Sequence, residues 1–287
     1  MAEARIAVIG GSGLYQMEGL SNVREVDVDT PFGKPSDAIV LGELEGMLVA
    51  FLPRHGQGHR LSPTEVPARA NIYALKKLGV GRIISVTAVG SLREEMRPLD
   101  MVVLDQLIDR TRQRAGTFFG DGIVVHVGFA DPFCVELRRL LVEAARETGA
   151  RVHDGGTCVV MEGPAFSTRA ESHMYRSWGA DLIGMTALPE ARLAREAEIC
   201  YATLACVTDY DCWREASEDV TVEMVVEVLH KNVAASQQVL RKVIPALSRK
   251  RECPCAAALE NAIITSQDRI PGEVKERLAL ILGKYLR

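Results

Sequence analysis

The chain has 287 residues, of which 47% are hydrophobic and 25% are charged, and its formal net charge is -4 at pH 7. This composition is that of a globular protein with a sizeable core, and the acidic balance excludes a general attraction to nucleic acid or to an acidic membrane surface. The N-terminus lacks the layout of a signal peptide and no apolar run reaches the length of a membrane helix, so we expect a cytoplasmic protein.

The first predicted strand, residues 5–9, runs directly into a glycine-rich turn, Gly10-Gly11-Ser12-Gly13. Glycines let the backbone approach a ligand closely and offer free N–H groups to an anion. The turn lacks the full G-x-G-x-x-G spacing, and no acidic residue ends a matching second strand, so a dinucleotide site is not favoured. A local anion site is the better prediction.

Two further strands, 38–41 and 47–52, are predicted to form a hairpin, and the second ends at Arg54-His55-Gly56. A guanidinium can grip two phosphate oxygens and an adjacent imidazole can donate a third hydrogen bond. An isolated Arg-His pair is more often a solvent-exposed pair without a ligand, but its position at the end of a strand favours phosphate binding.

Strand 82–86 delivers another turn of small residues, Thr87 to Ser91, with hydroxyls and free amides. We therefore predict one anion site assembled from three strand ends.

Residues 101–107 are predicted as a strand, and residues 109–122 as a surface or lid loop. His126 lies among valines, where a core or interface histidine is commoner than a catalyst. Phe166, beside Gly163-Pro164 in a polar loop, is either core or a stacking face for a flat ligand.

We expect the catalytic residues to be Asp209 and Asp211, which follow the apolar run 199–207. That run has little alternation and is typical of a buried strand in a sheet covered on both faces, where ligands bind at the carboxyl ends. The alternative is that one aspartate caps a helix and the other is solvated.

After a long predicted helix, 222–243, we expect a boundary near residue 248, with a main domain at 1–248 and a C-terminal extension at 249–287 that packs on it. The extension contains Cys253-Pro254-Cys255 and a short final helix. No histidine cluster or second cysteine pair of the usual spacing lies nearby, so zinc is not favoured. A strained disulfide is the alternative.

Six segments in chain order resemble the purine nucleoside phosphorylase superfamily, and the resemblance spans about residues 5 to 245. They are residues 10–13, 54–56, 87–91, 162–167, 184–186 and 208–213. The resemblance implies an α/β fold, a three-layer α/β/α single domain around a mixed central β-sheet. It also implies a homo-oligomer, a trimer or a dimer of trimers. The co-substrate would be inorganic phosphate, and no metal or organic cofactor is expected.

The resemblance implies a role for each matched residue. Phosphate would be held by Ser12, Arg54, His55, Thr87, Ala88 and Thr186. The nucleoside would be bound by Phe166, Ser167, Met185, His126, Val222 and Val225, with His126, Val222 and Val225 at the 5'-substituent and His126 reaching a neighbouring subunit's ligand. Asp209 and Asp211 would bind N7 and the 6-amino edge of the purine and carry catalysis.

The implied activity is phosphate-dependent cleavage of 5'-methylthioadenosine to adenine and 5-methylthioribose 1-phosphate, as in purine and methionine salvage. A 6-oxopurine nucleoside phosphorylase is the alternative within the superfamily, and a nucleoside-binding regulator without turnover is the alternative outside enzymes. Gly184 departs from the larger polar residue common in relatives, which leaves the ribose environment open. In archaeal relatives the positions matching Cys134 and Cys200 are paired, and for this chain that bridge also stays open.

Overall fold

The computed structural model of the protein describes residues 4–214, 222–248 and 250–286, and for Ser12 and residues 222–227, 229 and 230 it describes the backbone alone. Within these residues eleven strands form one mixed sheet. The strands are β1 (Ile6–Gly10), β2 (Ser21–Val26), β3 (Ile39–Leu44), β4 (Met47–Pro53), β5 (Arg82–Ser91), β6 (Met101–Val103), β7 (Gln106–Arg110), β8 (Val152–Asp154), β9 (Thr157–Met161), β10 (Leu182–Gly184) and β11 (Cys200–Asp209). The α-helices are α1 (Ala68–Lys77), α2 (Val135–Arg146), α3 (Arg169–Ser177), α4 (Ala187–Glu196), α5 (Val222–Ala246), α6 (Gly272–Arg277) and α7 (Ala279–Leu282).

The long strand β5 is the centre of the sheet. Strands β2, β3, β4 and β1 follow one another up to one of its sides, and β11 followed by β6 and β8 covers the other side. Near its end β5 also pairs with β10, which leads on to β9 and β7. The strands β4, β1, β5 and β11 are parallel, so their carboxyl ends lie at the same edge.

Helices cover both faces of this sheet, as the unalternating apolar runs predict. Along β1, Ala7 and Ile9 face a core that contains residues of α1 and α4, whereas Ile6 and Val8 face a second core with residues of α2 and α5. Such period-two alternation between two apolar faces is what a strand buried on both sides requires. The predicted three-layer α/β/α fold with a mixed sheet is confirmed.

The C-terminal residues pack against the same molecule. Leu259, Val274 and Leu278 are buried in the core cluster that also contains residues of α1 and α4. Two short helices, α6 and α7, stand where one final helix was predicted. That residues 249–287 form an extension with a boundary near 248 stays a prediction.

The bounds of the predicted strand 101–107 and of the predicted loop 109–122, whose first two residues belong to β7, were wrong, and one strand was missed. The run 101–107 is two strands, because the chain leaves β11 and β8 after Val103 and joins β9 from Gln106 onward. An apolar run does not reveal a change of neighbour when both halves are buried. The exposed edge strand β2 was not predicted at all, since its residues alternate little and face solvent. Among the helices that the structure describes, none combines the length and apolar character needed to cross a bilayer.

Candidate active site

A cavity of about 800 Å³ opens where β1, β4, β5 and β11 end. Parallel strands bring their carboxyl ends to one edge, which is where ligands bind in sheets of this kind. Ten of the residues predicted for the site line this cavity: Arg54, His55, Thr87, Ala88, Phe166, Ser167, Met185, Thr186, Asp209 and Asp211.

Five of the six predicted phosphate residues line the part of the cavity at the ends of β1, β4 and β5: Arg54, His55, Thr87, Ala88 and Thr186. The backbone N–H of Arg54 donates to the carbonyl of Gly10 at 2.9 Å, which joins the ends of β4 and β1. The hydroxyls of Thr87 and Thr186, 99 residues apart in the chain, lie 2.9 Å from each other. One of these hydroxyls donates to the other, so one hydroxyl hydrogen and the N–H groups of the adjacent glycine turn are left as neutral donors to an anion.

Arg54 lies in the cavity wall, but its side chain is deeply buried and already bonded. It pairs with Glu190 at 2.5 Å and donates to Ser85 Oγ at 2.7 Å and to the Val86 carbonyl at 3.0 Å. Burial lowers the pKa of Arg54, but the carboxylate of Glu190 more than offsets this, so the pKa is raised and the group stays charged. Arg54 thus acts as a fixed positive charge whose orientation Glu190 sets.

His55 has a defined protonation state. Its Nδ1 lies 2.8 Å from the Leu61 carbonyl, which can only accept, so Nδ1 carries the proton. Burial, with the charge of Arg54 as a second cause, lowers the pKa of His55 to about 4. At neutral pH the ring therefore presents Nε2 as an acceptor, whereas the Arg-His motif predicts an imidazole that donates to phosphate.

At the other end of the cavity, Asp209 and Asp211 form a connected pair. Asp209 Oδ1 accepts the backbone N–H of Asp211 at 2.8 Å, and Asp209 Oδ2 accepts the hydroxyl of Thr208 at 2.6 Å. This turn holds Asp211 at a φ of +52°, a left-handed conformation that aspartate tolerates better than most residues. Asp211 Oδ2 is buried and lacks a well-aligned hydrogen bond in the part of the chain described, although the nearby hydroxyls of Ser172 and Ser167 favour its ionised form.

Both carboxyl groups hold protons more tightly than usual. Burial raises the pKa of Asp209 against the hydrogen bonds from Thr208 and Asp211, which favour the ionised form. Burial also raises the pKa of Asp211, and the charge of Asp209 adds to the effect. A buried pair with raised pKa values suits proton transfer to a leaving group.

The loop before α3 supplies a wall beside the aspartates. The ring of Phe166 is 48% exposed, which places it at the cavity surface rather than in the core and suits stacking on a flat ligand. The Ser167 carbonyl accepts the thiol of Cys212 at 3.3 Å, so this loop is tied to the segment that carries Asp211. A side chain at Gly163 would meet Met185 Sδ at 2.6 Å, so close packing fixes Met185 here.

Sequence reasoning missed Arg114, which it placed in a surface or lid loop. The guanidinium is buried and donates to the backbone carbonyls of Met161, Glu162, Met185 and Leu188. Burial lowers the pKa of Arg114, while Glu162 opposes that shift. Arg114 joins the two loops that carry Phe166 and Met185, and no local pattern signals this.

Helix α5 supplies polar groups that were also missed. Asn232 donates to the Val207 carbonyl at 3.1 Å, Ser236 contacts Cys206 Sγ at 3.3 Å, and Gln237 donates to the Gly13 carbonyl at 2.7 Å. All three line the cavity. The sequence contained a signal for Asn232 and Ser236, because polar residues four positions apart lie on the same face of a helix.

Four predicted residues are not brought together with the rest. His126 is exposed and does not line the cavity of its own chain, and its backbone N–H donates to the Ala262 carbonyl at 2.8 Å. The side chains of Ser12, Val222 and Val225 lie outside the described residues. The roles of these four residues stay predictions.

Comparison with known proteins agrees with this geometry. The family model of the phosphorylase superfamily matches residues 5–245. The chain is 59% identical to an S-methyl-5'-thioadenosine phosphorylase of Geobacter sulfurreducens, over 99% of this chain and 100% of that one. It is 58% identical to the enzyme of the same name from Koribacter versatilis, over 99% and 97% of the two chains.

Solved structures give the same result. The fold is similar to that of a methylthioadenosine phosphorylase from an antarctic soil metagenomic library, with a TM-score of 0.94, 53% identity and coverage of 98% and 100%. It is also similar to an adenosine/methylthioadenosine phosphorylase mutant of Schistosoma mansoni, with a TM-score of 0.83, 36% identity and 98% of both chains covered. The resemblance drawn from the six motifs is confirmed, and the chain belongs to the phosphorylase superfamily.

Proposed function

We propose that this chain is an S-methyl-5'-thioadenosine phosphorylase, a pentosyltransferase that cleaves 5'-methylthioadenosine with inorganic phosphate to adenine and 5-methylthioribose 1-phosphate. The observation that carries the proposal is a single cavity with an anion end at Thr87 and Thr186 and a paired-carboxyl end at Asp209 and Asp211. Relatives that are 51 to 59% identical over nearly the whole chain carry that enzyme name.

The spacing along β5 fits a nucleoside and phosphate bound together. Thr87 is at the phosphate end, and Gly90, three residues on, is in register with Asp209. Three residues of strand span about 10 Å, which leaves room for a sugar between the phosphate and the base. We assign Thr87, Ala88 and Thr186 to phosphate, with Arg54 as the fixed charge behind it.

His55 takes a specific part in phosphate binding. Hydrogen phosphate carries one O–H group, and neutral His55 offers Nε2 as its acceptor. The remaining phosphate oxygens then face the hydroxyls and backbone N–H groups. These donors are held in place before the reaction and bind the phosphate anion without having to reorganise, and the negative charge of the phosphate stabilises the positive charge that develops on the sugar.

The end of the cavity with Asp209 and Asp211 can stabilise adenine as it leaves the sugar. As the bond from the sugar to N9 breaks, negative charge builds on the purine, and a proton delivered to N7 stabilises it. We assign this proton to Asp209, whose pKa is raised by burial. We assign Asp211 to the 6-amino group, since its Oδ2 is a buried acceptor that an amino hydrogen can satisfy.

This arrangement argues against the 6-oxopurine alternative. Ionised Asp211 would set the lone pairs of Oδ2 against those of the O6 of hypoxanthine, whereas it accepts a hydrogen bond from the 6-amino group of adenine. A binding protein without turnover would not need two buried carboxyls with raised pKa values. Neither the phosphate nor the base end calls on an organic cofactor.

The remaining assignments concern the assembly. We propose a homo-oligomer, a trimer or a dimer of trimers, in which the exposed His126 reaches the 5'-substituent of a neighbouring subunit's ligand and Val222 and Val225 line that pocket. An apolar 5'-pocket predicts preference for a methylthio group over a hydroxyl by about 1 to 3 kcal/mol. Roles in purine and methionine salvage and a cytoplasmic location stay predictions.

The test is to incubate the purified chain with 5'-methylthioadenosine and to follow free adenine with and without phosphate. Adenosine and inosine are run in parallel at the same concentration. We expect phosphate-dependent release of adenine, fastest from 5'-methylthioadenosine and slowest from inosine. Preference for inosine would favour the 6-oxopurine alternative, and the absence of turnover on all three would contradict the proposal.

A further inference from the structure

Four of the seven cysteines meet at one place, remote in sequence from one another. Cys134 is the N-cap of α2, Cys200 begins β11, and Cys253 and Cys255 flank Pro254 at the start of a 3-10 helix. Their four sulfur atoms all lie within 4.8 Å of one another. Cys134, Cys200 and Cys255 are buried and Cys253 is partly exposed, so the cluster lies just below the surface.

The geometry favours one shared centre over separate pairs. Four sulfurs form six pairs, and every pair falls within the same 4.8 Å. Two disulfides would need only two close pairs, and Cys200 Sγ and Cys253 Sγ, which lie 3.2 Å apart, are still beyond the S–S bond length of about 2.05 Å. A tetrahedral zinc site with Zn–S bonds of about 2.3 Å places its sulfurs about 3.8 Å apart in all six pairs. Thiolates prefer zinc to hard ions such as Mg²⁺ or Ca²⁺.

The surroundings suit the excess negative charge of such a centre. Four thiolates around Zn²⁺ carry a net charge of -2. The guanidinium of Arg251 lies 3.9 Å from Cys200 Sγ and is held there by the carbonyls of Gly81 and Glu198. Cys134 lies at the N-terminus of α2, where the helix dipole stabilises a thiolate.

A second contact shapes the Cys-Pro-Cys loop without competing for the metal. Glu136 Oε2 accepts the backbone N–H groups of Glu252 at 3.0 Å and of Cys253 at 3.1 Å. Its other oxygen pairs with Arg82 at 3.3 Å. The loop is therefore fixed by an acidic side chain that is itself engaged, which leaves the four sulfurs as the ligand set.

We propose that Cys134, Cys200, Cys253 and Cys255 bind one structural Zn²⁺ ion, with release of up to four thiol protons. The ion would fasten the C-terminal segment to α2 and to the start of β11, the strand whose far end carries Asp209. The expectation of no metal rested on the lack of a second cysteine pair near Cys253 in sequence. The fold supplies that pair from residues 134 and 200.

Metal analysis of the full chain, purified with zinc present and no chelator, tests the proposal. We expect about one zinc per chain. Replacement of zinc by cobalt should give the visible bands of tetrahedral Co²⁺ and a near-ultraviolet thiolate charge-transfer band. The cobalt spectrum needs no variant, so it decides the matter even if a cysteine variant fails to fold. A cobalt complex without thiolate bands would overturn the proposal.

Variants then identify the ligands. Cys253→Ser removes a partly exposed member of the cluster and should weaken zinc binding by more than about tenfold and lower the melting temperature. The matched control is Cys158→Ser, a buried thiol outside the cluster, which should keep one zinc per chain. Peptide mapping under non-reducing conditions that finds a disulfide between any two of the four cysteines, such as Cys200 and Cys253, would overturn the proposal, as would unchanged zinc affinity in Cys253→Ser.

Discussion

Glu190 and Arg54 form an ion pair of 2.5 Å in which neither side chain is more than 4% exposed. The carboxylate also accepts the hydroxyl of Tyr201 at 2.9 Å and that of Ser85 at 3.3 Å. A buried charge is tolerated only when it is paired and hydrogen-bonded, and here the two ions satisfy each other. The pair lies directly behind the proposed phosphate end of the cavity.

The first prediction concerns this pair. Glu190→Ala leaves the Arg54 charge buried and unpaired, so we expect the free energy of unfolding to fall by about 3 to 5 kcal/mol. Tyr201→Phe removes one hydrogen bond to the same carboxylate and should cost only about 1 kcal/mol. Urea denaturation measures both. Equal losses in the two variants would show that the Arg54–Glu190 ion pair contributes no more to the free energy of unfolding than one hydrogen bond does.

The second prediction concerns Gly90. A Cβ at this position would lie 2.9 Å from Asp209 Oδ1 and 3.1 Å from the Ile183 side chain. Gly90→Ala should therefore displace Asp209, the proposed proton donor, and lower kcat by at least about tenfold, because small misplacements at a reacting centre are costly. Gly272→Ala is the control, since a Cβ there meets open space. Wild-type kcat in Gly90→Ala would argue against Asp209 as a fixed donor.

The third prediction separates the two aspartates. Asp209→Asn cannot deliver a proton to N7, so we expect kcat for 5'-methylthioadenosine to fall by about 10²- to 10⁴-fold in a folded protein. Thr208→Val removes the hydroxyl that donates to Asp209 Oδ2 but keeps the acid, and should have a smaller effect. Steady-state rates at saturating phosphate provide the comparison. A Thr208→Val loss as large as that of Asp209→Asn would assign Asp209 a positioning role.

The fourth prediction concerns choice of base. Asp211→Asn replaces an acceptor with an amide that can donate to O6, so the ratio of kcat/KM for inosine to that for adenosine should rise by about tenfold or more. The two substrates are compared on wild type and variant at one phosphate concentration. If the ratio is unchanged, Asp211 does not face the 6-position.

The fifth prediction concerns stability and pH. Glu196 is 4% exposed and accepts the Phe118 backbone N–H at 2.8 Å, and burial raises its pKa from 4.5 to about 7. Between these values the folded chain binds more protons than the unfolded chain. The contribution of Glu196 to stability is therefore fully present below pH 4.5 and is lost as the pH rises through 7.

Glu196→Gln is neutral throughout this range and keeps an oxygen for Phe118. Between pH 5 and pH 8, we expect its free energy of unfolding to gain about 1 to 3 kcal/mol relative to wild type. Glu273→Gln, at an exposed position of α6, is the control and should show no such gain. A gain of equal size in both variants would exclude burial of Glu196 as the cause.

Local patterns in the sequence determined much of this protein. Unalternating apolar runs identified β1 and β11 as buried strands, and the glycine and aspartate motifs at their ends predicted the anion site and the carboxyl pair. The reason is physical: parallel strands share one edge for their carboxyl ends, so residues that follow such strands must converge. The order of residues along the chain was therefore enough to place Thr87, Arg54 and Asp209 in one site.

Only the tertiary structure determined which side chains contact one another across the chain. Glu190 is 136 residues from Arg54, Arg114 joins carbonyls more than 40 residues away, and Cys134 and Cys200 meet a loop near the C-terminus. These contacts depend on how helices pack across the sheet, and a carboxylate or thiol has the same local pattern whether it is solvated or paired. The lowered pKa of His55 and the raised pKa of Asp209 follow from burial and from such contacts, so they too were decided by packing.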